Sequence, residues 1–301
     1  MIKQKASVVI VSYNTVRLLK ICLDSVMKQG DSVGKIVVVD NASIDGSQQM
    51  VHHKYPSVHL IECKENLGFA KANNLALHLC DEKYICFLNP DAQFTGLALE
   101  IAIAYMENHP SIGIAGTKLI YPDGSPQWSV SYSYPHQNRT KNFSANLSGN
   151  IAAVMGASMI AKKSIVENLN GFDEDFFLYG EEQDLCLRVR KLGFEVGYIE
   201  SATVIHHEGQ SEIGVPKIEM WQRKSRAEIL FCKKHYGEVI LRRIMIVEKT
   251  KAILRLLMLN VCQKTPAIKT KMAKYEAILS VIDEQKNEMG ISNETLSLIH
   301  I

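Results

Sequence analysis

A chain of 301 residues, 47% hydrophobic and 22% charged, can bury a full core, which excludes a disordered chain and predicts one large domain with an appendage. The formal charge of +2 hides an asymmetry: residues 1–215 carry 18 Lys and Arg against 23 Asp and Glu, and the remainder carries 16 against 9. The seven cysteines, odd in number and without CxxC spacing, point to reduced core thiols and away from a disulfide framework or a zinc site.

The first apolar run, SVVIV (7–11), is short, β-branched and part of the folded pattern. It lacks the basic region and long apolar stretch of a secretory signal, so cytoplasmic residence is expected. With KIVVVD (35–40), VHLIE (58–62) and YICFLN (84–89) it alternates with helical patterns beginning near Val16, Gly46, Phe69 and Thr95. This βαβα order predicts a mostly parallel sheet flanked by helices. Ligands of such sheets sit beyond the carboxyl ends of the strands, which singles out Ser12, Asp40, Asn89 and Asp91.

From 121 to 150 the chain is rich in Ser, Asn, Pro and Tyr without periodicity and reads as a mobile binding loop, with Asp123-Gly124 as an ordinary turn. An apolar segment (152–161), a helical stretch opening at Glu181, and two closing strands, EVGYIE and TVIHH, complete a first domain over 1–214. The region 215–301 reads as three basic helical stretches, about 216–236, 238–262 and 266–289. The middle one is apolar enough to suggest a membrane span, but Arg242, Arg243, Lys249, Lys251 and Arg255 interrupt it, so an interfacial helix is expected.

The chemistry concentrates in VVIVSYN, VVVDNASIDGS, ENLGFAKANN, FLNPDA, GFDEDFFLYGEEQDLCLR and VIHHEGQS. In this order and spacing, over about residues 7 to 211, they resemble the family-2 glycosyltransferases, in particular the rhamnosyltransferase-like branch that builds bacterial surface polysaccharides. The resemblance implies an α/β GT-A nucleotide-diphospho-sugar transferase fold and an inverting transfer to a glycan hydroxyl. It implies a nucleoside-diphosphate sugar donor, with deoxythymidine-diphosphate rhamnose ahead of uridine-diphosphate hexoses.

Residue by residue, Ser12 and Tyr13 are expected to receive the nucleotide base, with Asn14 or Thr15 as a plain helix cap the alternative. Asp40 and Asn41 would contact base and ribose, or form an Asx turn. Asn66, Gly68, Lys71 and Asn73 would form the donor pocket at a helix N-terminus suited to a diphosphate, though Gly68 also suits a tight turn. Asn89 and Asp91 occupy the family's Asp-x-Asp position. Asp91 with His206 is expected to hold Mn2+ or Mg2+, adjacent histidines at a strand end otherwise being polar surface. Glu182 falls on the general base, Glu181 being the fallback and acidic capping of the helix the structural alternative. Asn89 and Glu182 each depart from the Asp of the family pattern.

A catalytically inactive nucleotide-sugar-binding or assembly protein of the same fold is the rival reading. A dinucleotide-dependent dehydrogenase is disfavoured because Ser-Tyr-Asn, and no GxGxxG, follows the first strand. The basic tail suits an anionic membrane face presenting a lipid-linked glycan at the inner side of the cytoplasmic membrane, and no nucleic acid. A helical cap or a homo-oligomer interface is the alternative for the same surface.

Overall fold

The computed structural model describes residues 4–140, 143–210, 214–263 and 265–290. The chain divides into two compact units, one of Met1–Tyr134 with Ser144–Ile213, the other of Pro135–Phe143 with Gly214–Ile301.

In the first unit β1 (Ala6–Ser12), β2 (Val33–Asp40), β3 (His59–Glu62) and β4 (Tyr84–Leu88) alternate with α1 (Val16–Met27), α2 (Ser47–Lys54) and α3 (Phe69–Leu77). There follow β5 (Ala92–Phe94), α4 (Ala98–Asn108), β6 (Ile112–Ile120), β7 (Val130–Ser131), β8 (Ala153–Val154), β9 (Ser158–Lys162), α5 (Lys163–Asn168), α6 (Glu181–Lys191) and β10 (Glu195–His206). The main sheet runs β3-β2-β1-β4-β9-β6-β10-β5, with β9 and β5 antiparallel to their neighbours. A separate ribbon pairs β7 with β8.

Alternation along β1 divides the core. Val8 and Ile10 join Leu19, Leu23, Val51, Leu99 and Met106 on one face, whereas Val9 and Val11 join Ala70, Ala76, Ile165, Leu185 and Val189 on the other. Side chains of successive strand residues point to opposite faces, so a run without polar positions must be covered on both. Each fully buried branched side chain stabilises by about 1.5–3 kcal/mol. The seven cysteines are free, five of them buried.

Three expectations change. EVGYIE and TVIHH are one strand, β10, whose register against β6 shifts between Ile199 and Thr203, where Glu200 and Ser201 are exposed. The polar interruption is an irregularity within one strand and not a turn. The 152–161 segment splits into β8 and β9, and β9 inserts antiparallel between β4 and β6. The 121–150 stretch contains β7, pinned as Ala152 N–H donates to Ser131 O at 2.8 Å and Met155 N–H to Ser129 O at 3.0 Å.

The second unit packs α7 (Lys217–Tyr236), α8 (Glu238–Asn260) and α9 (Pro266–Glu288) around Phe231, Leu241, Ile244, Met245, Ala252, Ala277, Val281 and Ile282. Thr265 caps α9 by accepting from Ile268 N–H, with Pro266 at the first helical position. Arg226 meets Glu284 through two bonds of 3.0 and 3.1 Å. Residues 135–143 join this unit because Tyr236 donates its hydroxyl to Pro135 O at 2.6 Å and meets Phe143 edge-on.

Candidate active site

The carboxyl ends of β1 and β2 are laced into one platform. Asn41 N–H donates to Ser12 O at 2.8 Å, and the Ser12 hydroxyl meets that of Thr15 at 3.0 Å. Helix α1 is capped by neither Asn14 nor Thr15. Its Val16 N–H donates to Asp45 Oδ2 at 2.7 Å, from the β2–α2 loop. Asn14, at a φ of 51°, instead accepts from Ile44 N–H through its side chain. Asp45 is a residue that sequence reasoning missed, since its partner lies 29 positions away.

Asp40 is buried, and its Oδ1 accepts from Ser43 N–H and from Gln48 Nε2, at 2.9 and 2.8 Å. Its Oδ2 is buried and has no hydrogen-bond partner among the described residues. Such an orphaned acceptor is costly unless a ligand N–H or O–H reaches it. One oxygen thus closes the turn while the other stays available. Tyr13 is half-buried beside this platform.

Asn41 is fully engaged: Oδ1 accepts from Leu67 N–H at 2.8 Å, and Nδ2 donates to Asn66 Oδ1 and Gly68 O. Asn66 Oδ1 also accepts from Gly68 N–H at 3.0 Å. These two asparagines therefore shape the loop entering α3. Phe69 N–H, at the first turn, donates to Phe177 O at 2.7 Å, and a Cβ on Gly68 would stand 2.3 Å from that carbonyl oxygen. Gly68 is thus required by a close approach as well as by its φ of 79°. Asn73 is buried with its amide donating to Phe69 O of its own helix, while Lys71 is exposed.

At the end of β4, Asn89 N–H donates to Ala157 O at 2.9 Å, and Asn89 Oδ1 is buried without a partner among the described residues. Asp91 and His206 are both about 5% exposed, with Asp91 Oδ1 3.4 Å from His206 Nε2. His206 Nδ1 meets Gln127 Oε1 at 3.1 Å, and Gln127 Nε2 donates to Glu208 Oε2 at 3.0 Å. A carboxylate only accepts, so the Gln127 amide must turn its oxygen to the imidazole and accept from Nδ1–H. In the neutral ring the Nε2 lone pair then faces Asp91, an arrangement that a shared cation would satisfy, as would a proton on Nε2. Neighbouring ligands of an octahedral ion held at about 2.1 Å stand about 3 Å apart, which the 3.4 Å separation approaches. The donor set therefore fits a hard divalent cation with open positions.

Beneath Asp91 the Cys22 thiol is pushed well up by burial and then by the Asp91 charge, so it stays protonated and inert. No group of three or more His, Cys, Asp or Glu side chains that could hold a metal occurs among the described residues. A two-ligand site is what a cation shared with substrate phosphates needs.

Gly180, at a φ of 83°, starts α6, whose first turn holds Glu181, Glu182 and Asp184. Asp184 is buried and bonds Arg188 Nε at 2.6 Å, while Arg188 Nη1 donates to Leu169 O and Gly171 O. That acid anchors the segment before the helix. Glu181 is buried, its Oε2 without a partner among the described residues, and burial followed by the charge of Glu182 drives its carboxyl well above the ordinary range. Glu182 is half-buried, and burial raises its carboxyl to about 7. Its Cβ lies 3.7 Å from where a Cβ on Gly156 would stand, one residue from the Ala157 carbonyl that holds Asn89. Glu182 thus lies against the 156–157 turn that also holds Asn89, two residues before Asp91. Of the late motif, Ser211 lies outside the described residues.

A mostly parallel sheet with these polar groups at its carboxyl edge defines a GT-A-like fold. A mannosyltransferase from Pyrobaculum calidifontis, solved with GDP-Man and Mn2+, superposes with a TM-score of 0.57 at 17% identity, covering 99% of this chain and 79% of that one. Residues 1–349 of TarS from S. aureus, solved in complex with UDP-GlcNAc, give 0.52 at 15% identity, covering 96% and 93%. The chain belongs to Glycosyl transferase family 2, whose signature spans residues 7–169. It is a glycosyltransferase with rhamnosyltransferase relatives. One is the N-acetylglucosaminyl-diphospho-decaprenol L-rhamnosyltransferase of Mycobacterium tuberculosis, 24% identical over 76% of this chain and 85% of that protein. Another is the rhamnosyltransferase WbbL of Escherichia coli, 26% identical over 75% and 93%.

Proposed function

We propose that the chain transfers a sugar, with inversion, from a nucleoside-diphosphate sugar to a hydroxyl of a lipid-linked surface glycan at the inner face of the cytoplasmic membrane. The observation that carries this reading is the buried Asp91–His206 pair, two residues along the chain from Asn89, which shares the 156–157 turn with Glu182. Asp40 Oδ2 accepts from the base or ribose, with Tyr13 and Ser12 forming the floor. Asn41, Asn66 and Gly68 hold the donor loop in shape, Asn73 braces α3 from within, and exposed Lys71 supplies charge toward the diphosphate. Asp91 and His206, with the unpartnered Asn89 Oδ1 two residues before Asp91, would hold Mn2+ or Mg2+, which when bound would offset the charge on the departing nucleoside diphosphate.

Glu182 takes the proton of the attacking acceptor hydroxyl as oxygen attacks the anomeric carbon opposite the leaving group. Its half-exposure suits this, whereas Glu181 is buried and burial holds its carboxyl above the ordinary range. Relatives that carry rhamnose in their names favour a deoxythymidine-diphosphate rhamnose donor, and the lipid-linked substrate named for the mycobacterial relative favours such an acceptor here. The test is nucleotide release from a panel of nucleotide sugars with Mn2+, Mg2+ or chelator. Metal-dependent release from at least one donor, stimulated by a glycan acceptor, is expected; no release from any donor would end the proposal.

No helix among the described residues is long and apolar enough to cross a membrane. Helix α8 instead exposes Ile253, Leu254, Leu257 and Met258, and its C-cap Val261 is 88% accessible, all spaced to lie on one helical face. Exposed Lys251 and Arg255 accompany them. An apolar stripe with a basic flank suits peripheral contact with an anionic bilayer. Leu254→Asn with Leu257→Asn should abolish co-flotation with anionic liposomes. Equal recovery of variant and parent would remove the membrane contact, and sedimentation of the parent as a dimer lost in the variant would assign the face to a second copy.

A further inference from the structure

Beside the 127–133 segment lies a cleft of about 480 Å3 that the reaction chemistry leaves unused, lined among others by Gln127, Trp128, Ser129, Ser131, Tyr132 and Tyr198. Clefts of about 300–1,000 Å3 are the usual size for small-ligand sites. Its floor is fixed to the sheet. Gln127 N–H donates to Leu119 O at 3.0 Å, Leu119 N–H donates to the Ser129 hydroxyl at 2.9 Å, and Ser129 O accepts from Met155 N–H. Upon this floor Trp128 and Tyr132 stand 55% and 70% exposed, an unusual display for large aromatic rings.

The lining identifies the ligand chemistry. None of its residues is Lys, Arg, Asp or Glu, so a diphosphate, an anionic headgroup or a charged peptide finds no counter-charge. It offers flat aromatic faces rimmed by serine and tyrosine hydroxyls. A neutral pyranose ring has the matching surface, an apolar C–H face edged by hydroxyls, and rigid Trp and Tyr side chains bind it with little loss of conformational freedom. The position is equally telling. Gln127 lines the cleft at one end and orients His206 at the other. Along β10, Tyr198 pairs with Gly116 and Ile205 with Ile120, four residues of β6 apart, or about 13 Å of strand. The cleft thus shares Gln127 with the His206 site and reaches along the sheet to Tyr198, farther than one sugar ring.

We propose that this cleft is a distal acceptor subsite, holding a neutral sugar ring of the acceptor chain that lies beyond the ring whose hydroxyl is attacked. The proposal rests on the transferase reading above and adds a requirement for acceptor length. Gln127 makes the two sites continuous, so a chain seated on Trp128 and Tyr132 presents its end toward Glu182 and Asp91.

Two measurements on the full chain test it. In a Trp221→Phe protein, Trp128 is the sole tryptophan reporter. Titration with neutral gluco-, chito- and rhamno-oligosaccharides of one to four rings should give a saturable emission shift in at least one series. Affinity should rise with ring number and fall about tenfold in Tyr132→Ala. In turnover with an active donor, the acceptor KM should fall with ring number in the parent, and Trp128→Ala with Tyr132→Ala should flatten that dependence relative to the one-ring acceptor. No shift with any series, or a length dependence that survives the double substitution, overturns the subsite. Oligosaccharide binding in a protein that releases no nucleotide from any donor would instead overturn the transferase reading and leave the sugar site standing.

Discussion

Replacing Glu182 by Gln is expected to lower kcat for sugar transfer by between about 100-fold and 10,000-fold, the usual contribution of a positioned general base. The amide keeps the size of the side chain and removes only its ability to take a proton. Burial raises the Glu182 carboxyl to about 7, so in the parent the active, ionised form is lost below that value. The parent kcat/KM should therefore rise about tenfold per pH unit on the acid side and level above about 7, whereas the residual rate of the variant should lose this step. Stability moves the other way. A carboxyl whose folded pKa lies above its unfolded one gives stability at low pH that is lost as pH rises through the folded value. At pH 8 the variant, spared a desolvated charge, should melt no lower than the parent, which separates lost chemistry from lost folding. A parental rate profile in Glu182→Gln, or a full loss in Glu181→Gln alone, would move the base to another residue.

Asp91→Asn should remove metal-dependent donor binding. Of Asn89, Asp91 and His206 only Asp91 brings a fixed negative charge, so this substitution takes the electrostatic anchor and leaves the shape. A donor with Mn2+ at about 100 times its Kd stabilises the parent by about 2.7 kcal/mol, and a 100-fold weaker complex would leave about 0.4 kcal/mol. For a domain of this size the first figure corresponds to a rise of about 5–10 °C in Tm, the second to about a degree. Gln127→Leu should give an intermediate loss, because it leaves Asp91 and His206 in place and removes only the partner that orients the His206 ring. Undiminished Mn2+ dependence in Asp91→Asn would sink the assignment of this pair to the metal.

The parallel half of the sheet was legible because β1, β2 and β4 are short, apolar and bounded by helical periodicity, and because their ends carry polar residues in sequence. The three tail helices were equally plain. What could not be read were elements whose meaning lies in distant partners. Strand β9 looks like any apolar run until β4 and β6 are found on either side of it. Gln127 carries no motif and gains its role from His206, 79 residues on. Asp45 reads as a loop residue, and only the crossing of the β1 and β2 loops makes it the cap of α1. Even within a motif that was recognised, spacing could not tell that the amides of Asn41 and Asn73 are consumed internally while Asp40 keeps one oxygen free.

The contact of Gly68 and Phe69 with the Phe177 carbonyl bears on any attempt to re-engineer the donor preference of this scaffold. Because the two backbones touch with no room for a methyl group, residues 66–74 and 171–177 form one joint. Grafting either stretch alone from a relative would mismatch that joint and tilt the entrance of α6. The natural module for transplantation is the pair, exchanged together.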